Sequence, residues 1–209
     1  MLIRPRDRAT SDDEWRSFLG SRDFGELIAA GRARDVPVIV PTHFAYDGAA
    51  TIRLHLARPN PAFAALSENP LAIISVFGAY TYIPGTWNAE EGADVDHGVP
   101  TSYYAAVQAV VRCEIVDDPE QLAAILGIQL DHFQPEGHAP ASDPEFVAQF
   151  SGIRGLVCRI EKVQAKFKFG GNRTVEHRGR IADHLAERDG PNDAEARSQL
   201  LRRTAPPIS

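Results

Sequence analysis

The stretch Phe167–Leu185, FKFGGNRTVEHRGRIADHL, with Lys166 just before it, gathers residue types suited to holding an anion. Lys166 and Lys168 are two apart, so on a strand they share a face. Gly170–Gly171 permits a positive φ and a close backbone approach to a ligand. Asn172 is placed to cap a following helix, with Arg173 in its first turn. An arginine there opposes the helix dipole unless an anion or a carboxylate is near. Two readings stand on these residues alone: one wall of a phosphate site, or an exposed turn with solvated charges. The chain contains neither GxxxxGK[ST] nor GxGxxG, so no phosphate-loop signature decides between them.

A second candidate is HLARPNPAFAAL, His55 to Leu66. A strand ends at Ala57, Arg58 follows, and a helix opens with Asn60 as cap and Pro61 as first residue. Free N–H groups and a guanidinium suit an anion. The Asn60 side chain competes for the same N–H groups, so a plain capped helix with a solvated arginine is the alternative. AYTYIPGTWN brings Tyr80, Tyr82 and Trp87 to a turn at Pro84–Gly85. Such rings stack on a flat ligand or cover a core edge. Seven histidines raise the question of a metal, but no pair has zincin spacing and no third ligand is indicated. His43 and His55 lie on neighbouring expected strands, facing one cavity or a polar sheet face. No G-x-S-x-G elbow or cysteine–histidine nucleophile signature occurs.

The elements that must position these residues read as follows. Ser11-x-x-Glu14 is a capping box, with Trp15, Phe18 and Leu19 on one helical face. FGELIAA, VPVIVPTHFAY and TIRLHLA read as strands, with Asp47–Gly48 a hairpin signal. LAIISVF is continuously apolar and is expected to be a central strand covered on both faces. SYYAAVQAVVRCEIVD is a long strand, with Ala109, Val111, Cys113 and Ile115 on one face. Asp118–Pro119 opens the clearest helix, with Leu122, Ile125 and Leu126 as its apolar stripe. IRGLVCRIEKVQAKFKF is another long strand, expected to bulge near Val163–Gln164. Two polar helices close the chain, around Arg173–Arg188 and Asp193–Arg203. Strands in direct succession favour a mainly antiparallel sheet or small barrel with peripheral helices, an α+β fold.

Composition narrows the classes. The 209 residues suit one large domain or a domain with an appendage, and 44% hydrophobic with 24% charged residues is ordinary for a globular chain. The formal net charge of −6 argues against a generally basic nucleic-acid binder. Cys113 and Cys158 sit in apolar alternating runs and read as small core residues of a reducing compartment, here the cytoplasm. No apolar leader and no membrane-length run is present, so export and a membrane span are not expected.

Taken in order, HLARPNP, AYTYIPGTW, VPTSYYAAVQ and IRGLVCRIEKVQAKFKFGGNR resemble the PaiB family of FMN-binding split-barrel proteins over most of the chain. The family patterns are His-x-Ala-Arg-x-Asn-Pro, Ala-Tyr-Ile-Ser-x-x-Trp, Val-Pro-Thr-Trp-Asn-Tyr-x-x-Val-His and a stretch ending Lys-x-Ser-Gln-Asn-Arg. The resemblance implies an antiparallel split barrel with its N-terminal helix over 1–170 and a helical extension over 171–209 packed on it. It implies a homodimer with FMN at the interface. Arg58 and Asn60 then take a phosphate or capping role, and Thr42 and His43 face the flavin. Tyr80, Tyr82, Trp87, Thr101 and Tyr104 become walls of the isoalloxazine or ribityl region, and Lys168, Asn172 and Arg173 complete the site. An oxidoreductase-like or redox-sensing flavoprotein is implied, under a family name that includes transcriptional regulation. The alternatives are a DNA-binding repressor using Arg197, Arg202 and Arg203, and a split barrel with haem on His43 or His55 or with no cofactor. The chain departs from the family at Ser102–Tyr103, Gln108, Gly170–Gly171 and the long acidic loop Asn88–Gly98. Each departure removes a side chain that could contact a cofactor or support its site.

Overall fold

A computed structural model describes residues 1–203 of the chain, so the end of the expected 171–209 extension lies outside the described residues. Seven strands form one sheet in the order β2-β1-β5-β6-β7-β4-β3. The strands are β1 (Phe24–Ala29), β2 (Val38–His43), β3 (Ala45–Tyr46), β4 (Thr51–Ala57), β5 (Leu71–Ile83), β6 (Thr101–Val116) and β7 (Ile153–Lys168). Helices α1 (Asp12–Gly20), α2 (Ala62–Glu68), α3 (Gly85–Asn88), α4 (Pro119–Phe133), α5 (Pro144–Val147), α6 (Val175–Arg188) and α7 (Asp193–Arg202) complete it. The β1–β2, β1–β5, β3–β4 and β4–β7 pairings are antiparallel. The fold is the α+β class expected, and no helix of the described residues is long and apolar enough to cross a membrane.

The chain divides into two compact units. One comprises Asp13–Val76 and Gln108–Gln164. Its core is apolar alternation made solid: Leu27 and Ala29 from β1, Ile52 and Leu54 from β4, and Ile74 from β5 are all buried. Each aliphatic side chain of this kind stabilises by roughly 1.5–3 kcal/mol when fully buried. Helix α4 opens on Asp118, whose carboxylate accepts from the Gln121 N–H, and buries Leu122 and Ile125. The Asp47 carboxylate accepts from the N–H groups of Ala49, Ala50 and Thr51, which shapes the expected hairpin between β3 and β4. Cys113 and Cys158 are free, buried thiols with their Sγ atoms 3.0 Å apart.

The other unit comprises Met1–Asp12, Phe77–Val107 and the chain from Ala165 onward. Here Tyr103, Ala105 and Val107 of β6 point inward with Phe167 and Phe169, against Ile181, Ala182 and Leu185 of α6. The α6–α7 hairpin is closed by an ion pair on a buried carboxylate: the more exposed Arg188 donates twice to Asp193, at 2.7 Å each. Thr81 of β5 donates to the same carboxylate at 2.6 Å. Arg188 and Asn192 also reach the carbonyls of Tyr82 and Tyr80, so this hairpin satisfies backbone acceptors of β5.

Strand β5 differs from expectation. Its apolar run alternates in burial rather than being covered on both faces: Ala72, Ile74 and Val76 are buried, while Phe77 is 71% exposed. Ala79, at φ 51°, shifts the alternation, so Phe77, Tyr80 and Tyr82 are all exposed.

Candidate functional site

The N-terminal segment, the start of β6, the end of β7 and the turn before α6 enclose a cleft of about 380 Å³. Arg4, Arg6, Lys166, Lys168 and Arg173 line it against one carboxylate, Asp7. Like charges so gathered repel one another, and a concave wall focuses their field, so an anion is the natural counterpart. Lys168 is held by Thr101, whose Oγ1 accepts from Nζ at 2.8 Å. Lys166 Nζ lies 5.4 Å from the Tyr104 ring centroid, a cation–π contact.

Two buried polar atoms of the cleft lack protein partners. Tyr103 is 2% exposed and its Oη has no hydrogen bond. Burial pushes its phenol up to about 12, although Arg178 pulls the other way, so it stays a donor across the physiological range. Asn88 donates through Nδ2 to the Val99 carbonyl at 2.6 Å. That carbonyl can only accept, so Oδ1 is the end left buried without a partner. The wall of the cleft therefore holds a buried donor and a buried acceptor behind its cations.

Glycines make the geometry possible. Gly170 has φ +63°, and a Cβ there would lie 2.6 Å from Tyr103 Oη. A Cβ on Gly171 would lie 2.3 Å from the carbonyl oxygen of Arg6. One glycine clears room for the phenol; the other lets the N-terminal segment, with its arginines, lie against the turn. The departures from the family pattern at Tyr103 and at Gly170 thus meet in space.

The structure corrects the expected cap. Asn172 lines the cleft, but α6 starts at Val175 and is capped by Thr174, whose Oγ1 accepts from the His177 N–H at 3.1 Å. Arg173 precedes the helix, its N–H bonded to the Gly170 carbonyl at 2.9 Å. Its guanidinium pairs with Glu90 of the acidic loop. The Glu90 carboxylate also faces His177 Nδ1 at 3.8 Å. Burial, with Arg173 and Arg180 nearby, holds the His177 imidazole below its usual range.

The other expected residues lie elsewhere. Tyr104 points away from Tyr103 by strand alternation and sits under Lys166. The Trp87 indole is already stacked on His184 at 4.8 Å and lies under the Arg188 guanidinium, also at 4.8 Å. Tyr80 and Tyr82 stand exposed on β5.

Thr42, His43, Arg58 and Asn60 belong to the unit Asp13–Val76 with Gln108–Gln164. Thr42 donates to the His43 carbonyl at 3.1 Å. The His43 ring lies 5.3 Å from that of His55 and 5.2 Å from Phe133, edge to face. Burial first, then His55, holds His43 below its usual range, against a raising influence from Asp23. His55 Nδ1 and Gln129 Oε1 share a hydrogen bond at 2.7 Å. Asn60 takes the capping role, its Oδ1 accepting from the Ala62 N–H at 2.9 Å, and α2 begins one residue later than expected. Arg58 is not a free cation: it donates to the carbonyls of Ser151 and Ile153 and to Asp117, at 2.8, 3.1 and 3.0 Å. No group of three or more metal-ligating side chains occurs among the described residues.

A family model described as "Putative FMN-binding domain" matches residues 1–162. The protease synthase and sporulation protein PAI 2 of Bacillus subtilis (strain 168) is 23% identical over 207 residues, covering 96% of each chain. The conserved hypothetical protein Rv2991 of Mycobacterium tuberculosis superposes with a TM-score of 0.57 at 16% identity, over 80% of this chain and 90% of that one. An FAD and heme binding protein of Mycobacterium smegmatis gives 0.55 at 18% identity, over 78% and 73%. The fold is that of the split barrels, as the motif order implies.

Proposed function

Because the chain belongs to this FMN-binding domain family, we propose that the cleft receives the phosphorylated ribityl end of FMN, in an oxidoreductase-like or redox-sensing flavoprotein. The observation that carries the reading is the pair of buried, unpartnered atoms of opposite sense, Tyr103 Oη and Asn88 Oδ1, among five cationic side chains. Leaving such groups unpaired costs roughly 1–3 kcal/mol each, which a ligand able to pair both would recover. The phenol, Lys168 and Arg173 would hold a phosphate, and the Asn88 oxygen would accept from a polyol hydroxyl. FMN carries both groups on one chain. Bound flavin supplies the redox chemistry, while these residues bind, orient and neutralise. Tyr103 and the cations donate hydrogen bonds, and the phenol, pushed up to about 12 by burial, does so without exchanging a proton near neutral pH.

The reading extends to a homodimer. Phe77, Tyr80 and Tyr82 form an exposed apolar stretch that a second copy would cover, and split barrels of this resemblance build the flavin site from two chains. Two reduced, buried thiols suit a cytoplasmic setting.

The test is a titration of the purified protein with FMN and, separately, with riboflavin, followed by flavin fluorescence and absorbance. FMN is expected to bind and riboflavin to bind at least tenfold more weakly, since about 1.4 kcal/mol of phosphate contact suffices for that ratio. A protein that leaves both spectra unchanged ends the reading.

A further inference from the structure

The acidic loop Asn88–Gly98 is a departure that FMN binding does not absorb. Its first two glutamates each meet an arginine: Glu90 pairs with Arg173, and Glu91 with Arg180 at 3.3 Å. Arg173 lines the cleft, whereas Glu90 does not; it lines the neighbouring surface hollow with Trp87 and His184. One of the five cleft cations is therefore already neutralised from outside the cleft. The glutamates are largely exposed, at 67% and 86% of their side-chain surface, and exposed pairs of this kind are weak enough to exchange. Arg173 itself is only 19% exposed, so its guanidinium is the better shielded half and the more valuable to an incoming anion.

We propose that Glu90 is an internal competitor that sets the cleft's affinity for phosphorylated ligands: a carboxylate that occupies Arg173 until a ligand's phosphate displaces it. This rests on the reading of the cleft as the phosphate end of a flavin site. A phosphate carries more charge than a carboxylate and engages Arg173 together with Lys168 and the Tyr103 hydroxyl, so it wins the exchange. A neutral ligand brings nothing that competes with Glu90 and leaves the pair intact. The loop thereby lowers the affinity for phosphorylated ligands and leaves that for unphosphorylated ones untouched, so it sets how much phosphate contact the cleft yields. Release of Glu90 also frees the loop from one of its two arginine pairs and removes the carboxylate that faces His177.

The experiment compares wild type with Glu90→Gln, an exposed change expected to leave folding intact. FMN and riboflavin dissociation constants are measured at low and high salt. FMN should bind Glu90→Gln about threefold to tenfold more tightly, with riboflavin unchanged, and the gain should shrink as salt screens the charges. A protease specific for glutamyl bonds provides a second readout: saturating FMN should speed cleavage after Glu90 and Glu91 in wild type. If wild type binds FMN but Glu90→Gln binds it equally or more weakly, Glu90 is a support of Arg173 and the inference is overturned while the cofactor reading stands. If neither protein binds FMN, the cofactor reading falls and takes this inference with it.

Discussion

Replacing Tyr103 by phenylalanine should change stability and ligand affinity in opposite directions. In the unliganded protein the phenol is 2% exposed and its Oη has no partner, so the hydroxyl is desolvated without return. That penalty is about 1–3 kcal/mol, and Tyr103→Phe removes it while keeping the ring's edge-to-face contact with Phe169 at 5.9 Å. The ligand-free variant should therefore be about 1 kcal/mol more stable. In the complex the same hydroxyl donates to a charged oxygen, a bond worth about 1.5–3 kcal/mol, so FMN affinity should fall by a factor of about 10–100. Urea unfolding followed by tryptophan fluorescence and FMN titration measure the two effects. A Gly170→Ala change tests the packing beneath the prediction. Its Cβ would sit 2.6 Å from Oη at φ +63°, costing about 1 kcal/mol of backbone strain and 1–3 kcal/mol of overpacking. The overpacking part should largely vanish in the Tyr103→Phe background, giving a coupling of about 1–2 kcal/mol. A Tyr103→Phe protein that is less stable than wild type and binds FMN unchanged would refute the reasoning, because the hydroxyl would then be serving the fold rather than the ligand.

Two further outcomes follow from the same unit. Hydrogen bonds from Arg188, and then from Thr81 and Gly190, hold the Asp193 carboxyl at about 2 despite burial, below its ordinary value of 3.8. A depressed folded-state value means this stabilisation is complete above about pH 4 and is lost as pH falls through about 2. Its size is about 2 kcal/mol, measurable by urea unfolding across that window. Asp193→Asn should flatten the dependence and cost about 2 kcal/mol at neutral pH by removing the ion pair with Arg188. Separately, sedimentation should show a dimer at micromolar concentration that Phe77→Glu drives toward monomer; a wild-type monomer would remove the shared-site reading.

How much of this was legible follows from the range of each interaction. The strands and α4 were readable because alternation and the Asp118–Pro119 cap are local, decided within a few residues. The cleft was only half readable. Lys168, Asn172, Arg173 and Thr101 were singled out and do line it. Tyr104 was singled out through the family motif, yet the parity that places Ala109, Val111 and Cys113 on one face already assigns Tyr103 to that buried face and Tyr104 to the other. Arg58 shows the opposite limit: its charge is plain in the sequence, but the carbonyls of Ser151 and Ile153 that engage it lie more than 90 residues away. Arg4 and Arg6 carry no periodicity, and only contact with Gly171, far along the chain, gives them a place.

The two departures that looked like losses to a cofactor site are therefore better understood as one exchange. Where the family pattern has Asn and Ser, this chain has Tyr103 and Gly170 in contact distance of one another. The glycine on its own would leave a gap, and the tyrosine beside a larger residue would collide. Together they place one long donor in the wall of the cleft. The pairing predicts its own failure mode: serine at position 170 should cost about 1–3 kcal/mol through the clash with Tyr103 on top of about 1 kcal/mol of backbone strain at φ +63°, whereas without that clash the strain alone would be felt.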